Sequence, residues 1–216
     1  TMVIVFVGGY LTAGGANAIN MWYDRDIDPL MGRTANRPIP SGAVSANGTL
    51  AFGTALSVGG VVWFVEFANS VAAFWAAFSI LFYVFVYTIA LKRTTPQSIV
   101  IGGAAGAIPP LVGWAAVTGG LELPAVYLFA IIFLWTPPHF WALALMIKDD
   151  YALAEIPMLP VVRGVIETKR SILIYTLALV ALTLMLPATG AVGWFYFASS
   201  SVLGGAYIYY SWRLYK

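Results

Sequence analysis

The sequence predicts an all-α, polytopic transmembrane helix bundle, and three observations carry that expectation. Of 216 residues, 61% are apolar and only 9% charged, with a mean hydropathy of +0.85; soluble domains keep about a quarter of their residues charged. The apolar residues gather into stretches of roughly 20, the length that crosses a bilayer. Seven such stretches are read, near 1–20, 48–67, 70–91, 98–117, 124–147, 171–187 and 191–212. The segments between them alternate in charge. One set (21–47, 92–97, 148–170 and the tail from Arg213) holds all 11 basic residues, and the other (68–69, 118–123 and 188–190) holds none. The positive-inside rule then puts the basic side in the cytoplasm. A single transmembrane domain over 1–216, in the cytoplasmic (inner) membrane, is expected.

The first span begins at Thr1 inside an apolar run, with no charged n-region or cleavage site ahead of it. It closes on Asn20, Asp24 and Asp28. Each four-residue step on an α-helix turns about 400°, so the three positions share one face. Carboxylates stacked that way repel unless a cation joins them. Hard oxygen donors at that spacing suit Mg²⁺, which takes one or two carboxylates and completes its shell with water and substrate phosphate. The plain alternative is a solvated helix end with scattered acids. The loop that follows carries Arg33 and Arg37 in Arg-Thr-Ala-Asn-Arg-Pro; their planar forks fit phosphate oxygens, or they set topology against anionic lipid.

Spans two to four carry many small residues (Gly59, Gly60, Gly102, Gly103, Gly106), as the first carries Gly8, Gly9, Gly14 and Gly15. These read as close helix packing. Lys92 and Arg93 follow the third span, as charge for the same vestibule or as topology determinants. Pro109 and Pro110 interrupt the fourth span and read as a kink. The fifth holds the only histidine, His139, just after Pro137 and Pro138. An intramembrane ionisable residue is a functional candidate, against a His bonded to backbone freed by the prolines. On a continuous helix it would share a face with Asp150, about 16 Å deeper. After that span come Asp149, Asp150 and Glu155, on the same side of the membrane as the first stripe. Two acidic clusters flanking one vestibule can hold metal ions bridged by a diphosphate, with Arg balancing the remaining charge. An apolar interior beneath them describes a site for a lipid diphosphate. The chain has no Cys, which excludes disulfides and thiolate metal sites. A net charge of +2 gives no basis for nucleic-acid binding.

These residues resemble the UbiA superfamily of intramembrane prenyltransferases, whose first motif is matched by Asn20, Asp24 and Asp28. Longer strings resemble its haem branch, the protoheme IX farnesyltransferases. They are Asn-Met-Trp-Tyr-Asp-Arg-Asp-Ile-Asp at 20–28, Arg-Thr-Ala-Asn-Arg-Pro at 33–38, Arg-Thr-Thr-Pro-Gln at 93–97, Trp-Thr-Pro-Pro-His-Phe-Trp-Ala-Leu at 135–143 and Asp-Tyr-Ala-Leu-Ala-Glu-Ile-Pro-Met-Leu-Pro-Val-Val at 150–162. The resemblance implies Mg²⁺-dependent transfer of farnesyl from farnesyl diphosphate to a vinyl group of haem B, giving with water haem O and diphosphate. Asn20, Asp24, Asp28 and Asp150 would hold Mg²⁺–diphosphate. Asp149, Glu155, Arg33, Arg37, Lys92 and Arg93 would contact substrate, and His139 would meet the porphyrin iron or a propionate. Membrane lipid is implied as surroundings, and haem A synthase or oxidase assembly factors as candidate protein partners. The sequence departs from many members at Met21, where they carry an acid, and at Ala154, where a D-x-x-x-D motif would end. The family has nine spans, so a first and a last helix are expected to be missing. Rival readings are a quinone-precursor or chlorophyll-type acceptor, an ion-coupled transporter, and a non-enzymatic haem-binding subunit.

Overall fold

The computed structural model describes residues 1–216. Ten α-helices follow one another without a strand: α1 (Met2–Tyr23), α2 (Ala46–Phe67), α3 (Ser70–Leu81), α4 (Ser98–Ala107), α5 (Pro109–Thr118), α6 (Leu123–Met146), α7 (Lys148–Leu153), α8 (Leu159–Val162), α9 (Gly164–Met185) and α10 (Trp194–Tyr215). In six places the helix is long and apolar enough to cross a membrane. The seventh expected span forms α10, a helix of 22 residues, but its Ser, Gly and Tyr content leaves it outside those six. The sixth span begins at Gly164 rather than 171. Lys169 and Arg170 ride on the first turns of the helix, where their charge disguises the helix start as loop.

Small residues set the closest crossing. A Cβ on Gly15 would lie 2.4 Å from Ser57 Oγ and 2.7 Å from the Gly53 carbonyl, and one on Gly60 would lie 2.7 Å from Thr12. α1 and α2 therefore touch backbone to backbone, the contact that packing in lipid favours. Ser45 and Asn69 cap α2 and α3 by accepting from Gly48 N and Ala72 N, and Asn69 also donates to the Ala115 carbonyl of α5. The Pro109–Pro110 kink interrupts the ladder, while Ile108 between the two helices keeps helical dihedrals (φ −70°, ψ −30°). α4 stops at Ala107 and α5 restarts on Pro109, which has no N–H to continue the ladder.

α3 does not end as an α-helix. Residues Phe82–Leu91 continue it in wider π turns, closed by an i→i+5 bond from Lys92 N to the Tyr87 carbonyl at 2.8 Å. Such winding is rare and is frequent at functional sites. Here it delivers Tyr83, Tyr87, Thr88 and Lys92 to one end of the bundle.

The two long basic loops are packed. Ile27, Met31, Tyr151, Ile156 and Met158 are buried with Ile99 and Ala144 in one cluster, so 24–42 and 148–164 form an ordered cap over the basic end. A second cluster around Phe64, Ala73, Ile108 and Val112 closes the opposite end. Large apolar side chains such as Phe6, Phe52, Phe74, Phe85 and Leu203 face outward, as lipid contact requires.

Candidate active site

α1 ends at Tyr23, and Asp24 is its C-terminal cap. The stripe therefore does not lie on one continuous helix. Its spacing survives because Asp28 N still bonds to the Asp24 carbonyl at 2.9 Å, an i→i+4 contact carried one turn past the helix end. Asn20, Asp24 and Asp28 are 4%, 0% and 2% exposed. Acids at the negative end of a helix dipole are unfavourable, and buried carboxylates without partners more so. The fold supplies cations accordingly. Lys92 Nζ sits on Asp24 Oδ2, and Arg93 Nη2 lies 3.3 Å from Asp24 Oδ1. Arg37 Nη1 reaches both oxygens of Asp28, at 3.0 and 2.9 Å. Asn20 Nδ2 donates to Asp24 Oδ2 (2.8 Å) and to Thr88 Oγ1 (3.1 Å), which leaves its amide oxygen turned to other use.

Arg93 is the most constrained of these cations. Its guanidinium forks onto Asp26 with two bonds of 2.7 Å, donates to the Tyr23 carbonyl and lies over the Tyr23 ring. The hydrogen bonds from Arg93 hold the Asp26 carboxyl below its ordinary range. The same pairing raises Arg93 further, so it stays charged. Arg33, by contrast, enters no ion pair. It lies beside the Tyr151 hydroxyl without closing a well-formed bond to it, and burial pushes that phenol up.

The second acidic segment meets the first through backbone. Asp150 Oδ2 accepts from Gly32 N at 3.0 Å, which ties α7 to the Arg-rich loop. Asp149 and Glu155 are exposed. Glu155 has φ 53° and ends α7: Ile156 N bonds to the Tyr151 carbonyl and Glu155 N to that of Ala152. That is a left-handed helix terminus where glycine is usual, held here by a glutamate. No three carboxylate or imidazole groups converge closely enough to bind a metal by themselves. The oxygen donors of Asn20, Asp24 and Asp28 nonetheless fit a hard divalent ion that takes the rest of its shell from phosphate and water.

Beneath the acids lies a cavity of about 490 Å³. On α1 its lining runs from Val5 to Asn17, about 18 Å along the helix, and Asn20 is the next turn up. Its polar residues are mostly silenced by their own helices. Thr12, Ser79 and Thr136 donate to the carbonyls of Gly8, Ala105 and Ile132. At its head Tyr83 and Tyr87 stack at 5.4 Å, and the Tyr83 hydroxyl donates to Asn17 Oδ1 at 3.4 Å. Gly102 makes room for this pair, since a Cβ there would lie 2.2 Å from Tyr87 Cδ2.

His139 does not line this cavity. Thr136 and Phe140 do, while His139 is exposed on another face of α6 and stacks on Trp135 at 4.1 Å. The helix also stops at Met146, with Ile147 (φ −121°, ψ 32°) between α6 and α7. The single continuous helix that would put His139 under Asp150 does not exist. Sequence reasoning missed Asp26, Thr88 and the Tyr83–Tyr87 pair. The last left a signal, two aromatics four residues apart just before Lys92.

The UbiA prenyltransferase family model matches residues 1–216, the whole chain. This chain belongs to the UbiA prenyltransferase family. Among relatives of this UbiA chain, a protoheme IX farnesyltransferase of Acidiphilium cryptum is 56% identical over 204 residues, 94% of the chain and 64% of the relative. Proteins of the same name from Bartonella tribocorum and a Roseiflexus species are 51% identical over 215 residues and 54% identical over 208. The UbiA chain spans 68% of the first and 39% of the second. Two solved structures share its fold. One, described as digeranylgeranylglyceryl phosphate synthase, has a TM-score of 0.77 at 22% identity, covering 98% of the chain and 74% of that protein. A UbiA homolog from Aeropyrum pernix gives 0.73 at 22%, covering 99% and 83%. With its apolar spans, the UbiA chain is an integral membrane protein.

Proposed function

We propose that this chain is the core of a protoheme IX farnesyltransferase, which moves farnesyl from farnesyl diphosphate to a vinyl group of haem B and, with water, yields haem O and diphosphate. The observation that carries this reading is the buried Asn20–Asp24–Asp28 ladder, flanked by basic side chains, at the head of an apolar cavity about 18 Å long. The acceptor and the prenyl length rest on the names of the relatives. UbiA prenyltransferases generally depend on a divalent metal, and Mg²⁺ is the ion proposed. Asn20, Asp24 and Asp28 would hold it, with Asp150 nearby. Bound there, it would neutralise the diphosphate as a leaving group.

The chain's own residues supply the rest. Arg33 would meet the diphosphate first, because no carboxylate holds it. Arg37 and Lys92 lie on the acids and would be shared with phosphate oxygens; Asp149 and Glu155 are outer helpers, exposed at the rim. The cavity would sheathe the isoprenoid tail and keep water from the allylic carbon as its C–O bond weakens. Tyr83 and Tyr87 present ring faces where positive charge would develop. All the basic residues lie at the site end of the bundle, which supports a site facing the cytoplasm from the inner membrane. Haem A synthase or an oxidase assembly factor would be the natural recipient of the product.

The full-length protein in detergent, given Mg²⁺, farnesyl diphosphate and either haem B or 4-hydroxybenzoate, is expected to release diphosphate and to farnesylate haem B only. Prenylation of the benzoate alone, or no diphosphate release with both substrates bound, overturns the reading. His139, stacked on Trp135 at the flank of α6, is proposed as a contact to the haem. His139→Ala is expected to weaken haem binding, followed by the Soret band, while leaving diphosphate binding intact. An unchanged haem titration removes that role.

A further inference from the structure

Two carboxylates, Asp24 and Asp28, are buried at the site, and each is already paired: Asp24 with Lys92 and, at 3.3 Å, Arg93, and Asp28 with Arg37, whose Nη1 meets both its oxygens. With Asp26, which also holds Arg93, the group is balanced: Asp24, Asp26 and Asp28 against Arg37, Lys92 and Arg93. A divalent cation entering alone must displace Lys92 or Arg37 and then sit beside the ammonium or guanidinium it has freed, in a setting of low dielectric where like charges repel strongly. A diphosphate entering alone faces the two carboxylates and finds only Arg33 free. Arriving together, the two ligands balance each other and every displaced group acquires a partner. The metal would take the carboxylates, and the diphosphate the cations.

The neighbours separate exchangeable cations from fixed ones. Arg93 is forked onto Asp26, tied to the Tyr23 carbonyl and 3.3 Å from Asp24, so it stays. Lys92 has one carboxylate contact and a flexible four-carbon stem; its side chain is 13% exposed. Arg37 has only Asp28 and is partly open to the vestibule. Both can swing from carboxylate to phosphate without moving the backbone.

We propose that Lys92 and Arg37 are exchangeable counter-ions that make binding of the divalent cation and of the diphosphate mutually dependent. The proposal rests on the diphosphate reading of the site and adds an order to it: neither ligand is held well alone. Because binding free energies are linked, each ligand tightens the other by the same factor, roughly 5- to 150-fold for ordinary couplings.

The test uses the full-length protein in detergent, Mn²⁺ as the metal probe followed by electron paramagnetic resonance, and inorganic diphosphate followed by calorimetry. In the unmodified protein, Mn²⁺ affinity at saturating diphosphate, corrected for the Mn²⁺–diphosphate complex in solution, is expected to exceed that for Mn²⁺ alone by such a factor. Lys92→Met and Arg37→Gln are each expected to tighten Mn²⁺ alone by roughly tenfold and to weaken diphosphate alone by a similar factor, about one decade of binding constant. A merely structural role would weaken both. Arg33→Gln is expected to weaken diphosphate without tightening Mn²⁺. Equal Mn²⁺ affinities with and without diphosphate in the unmodified protein overturn the proposal, whatever the variants do. So does either substitution, in folded protein, if it leaves Mn²⁺ affinity unchanged or lower. Failure of the unmodified protein to bind diphosphate even with Mn²⁺ overturns the diphosphate site itself, and this proposal with it.

Discussion

Asp24→Asn is expected to lower kcat by about 10³-fold or more, since a carboxylate ligand in such a site supports several kcal/mol of leaving-group stabilisation and each 1.36 kcal/mol is tenfold. The substitution is nearly isosteric, and Asn20 Nδ2 would keep an oxygen to bond to. What it removes is the charge under Lys92 Nζ and Arg93. Breaking a buried pair by neutralising one partner costs about 3–5 kcal/mol, so a loss of activity could arise from a loss of fold. Adding Lys92→Met, with Lys92→Met alone as the reference for the loss of its phosphate contact, separates the two. The double variant is expected to regain most of the thermal transition in detergent, because no unpaired buried ammonium remains, and to regain no turnover. Recovery of turnover in the double variant would show that Asp24 serves the fold alone.

Gly15→Val is expected to destabilise the helix pair that carries the site. A Cβ there meets Ser57 Oγ at 2.4 Å, Ser57 N at 2.6 Å and the Gly53 carbonyl at 2.7 Å. Two of those atoms are backbone and cannot rotate aside. α1 and α2 must separate, at a cost of about 1–3 kcal/mol or more, and α1 carries Asn20 and Asp24 within the next turns. Lower thermal stability and weaker Mn²⁺–diphosphate binding should therefore appear together. Gly14→Ala is the control, for its Cβ would meet only Leu56 Cδ1 at 3.8 Å and both properties should stay close to those of the unmodified protein. A stable Gly15→Val variant would mean that the two helices can slide apart freely.

Spans and charge were legible in the sequence because both are patterns along one dimension. Six apolar helices stand where six runs were read, and the basic residues share one end. The acidic stripe was legible too, though its i→i+4 spacing outlasts the helix that suggested it. What could not be read is who sits on whom. Lys92 reaches Asp24 across 68 residues, and nothing in a local pattern separates such a contact from a residue that only sets topology. The π turns of 82–91 leave no mark, since period-3.6 reasoning assumes α winding. The break at Ile147 has no Gly or Pro to announce it, so the alignment of His139 with Asp150 failed on an assumption of continuity.

The composition of the cavity wall has a consequence for the protein's own survival. An allylic cation alkylates any nucleophile it touches, and a chamber that generated one would soon modify itself. Here Thr12, Ser79 and Thr136 spend their protons on carbonyls of their own or a neighbouring helix. The chain has no cysteine, and its one imidazole stands outside the lining. The wall therefore offers the cation of the proposed reaction neither thiol nor imidazole, only amide and hydroxyl oxygens, which are far weaker nucleophiles.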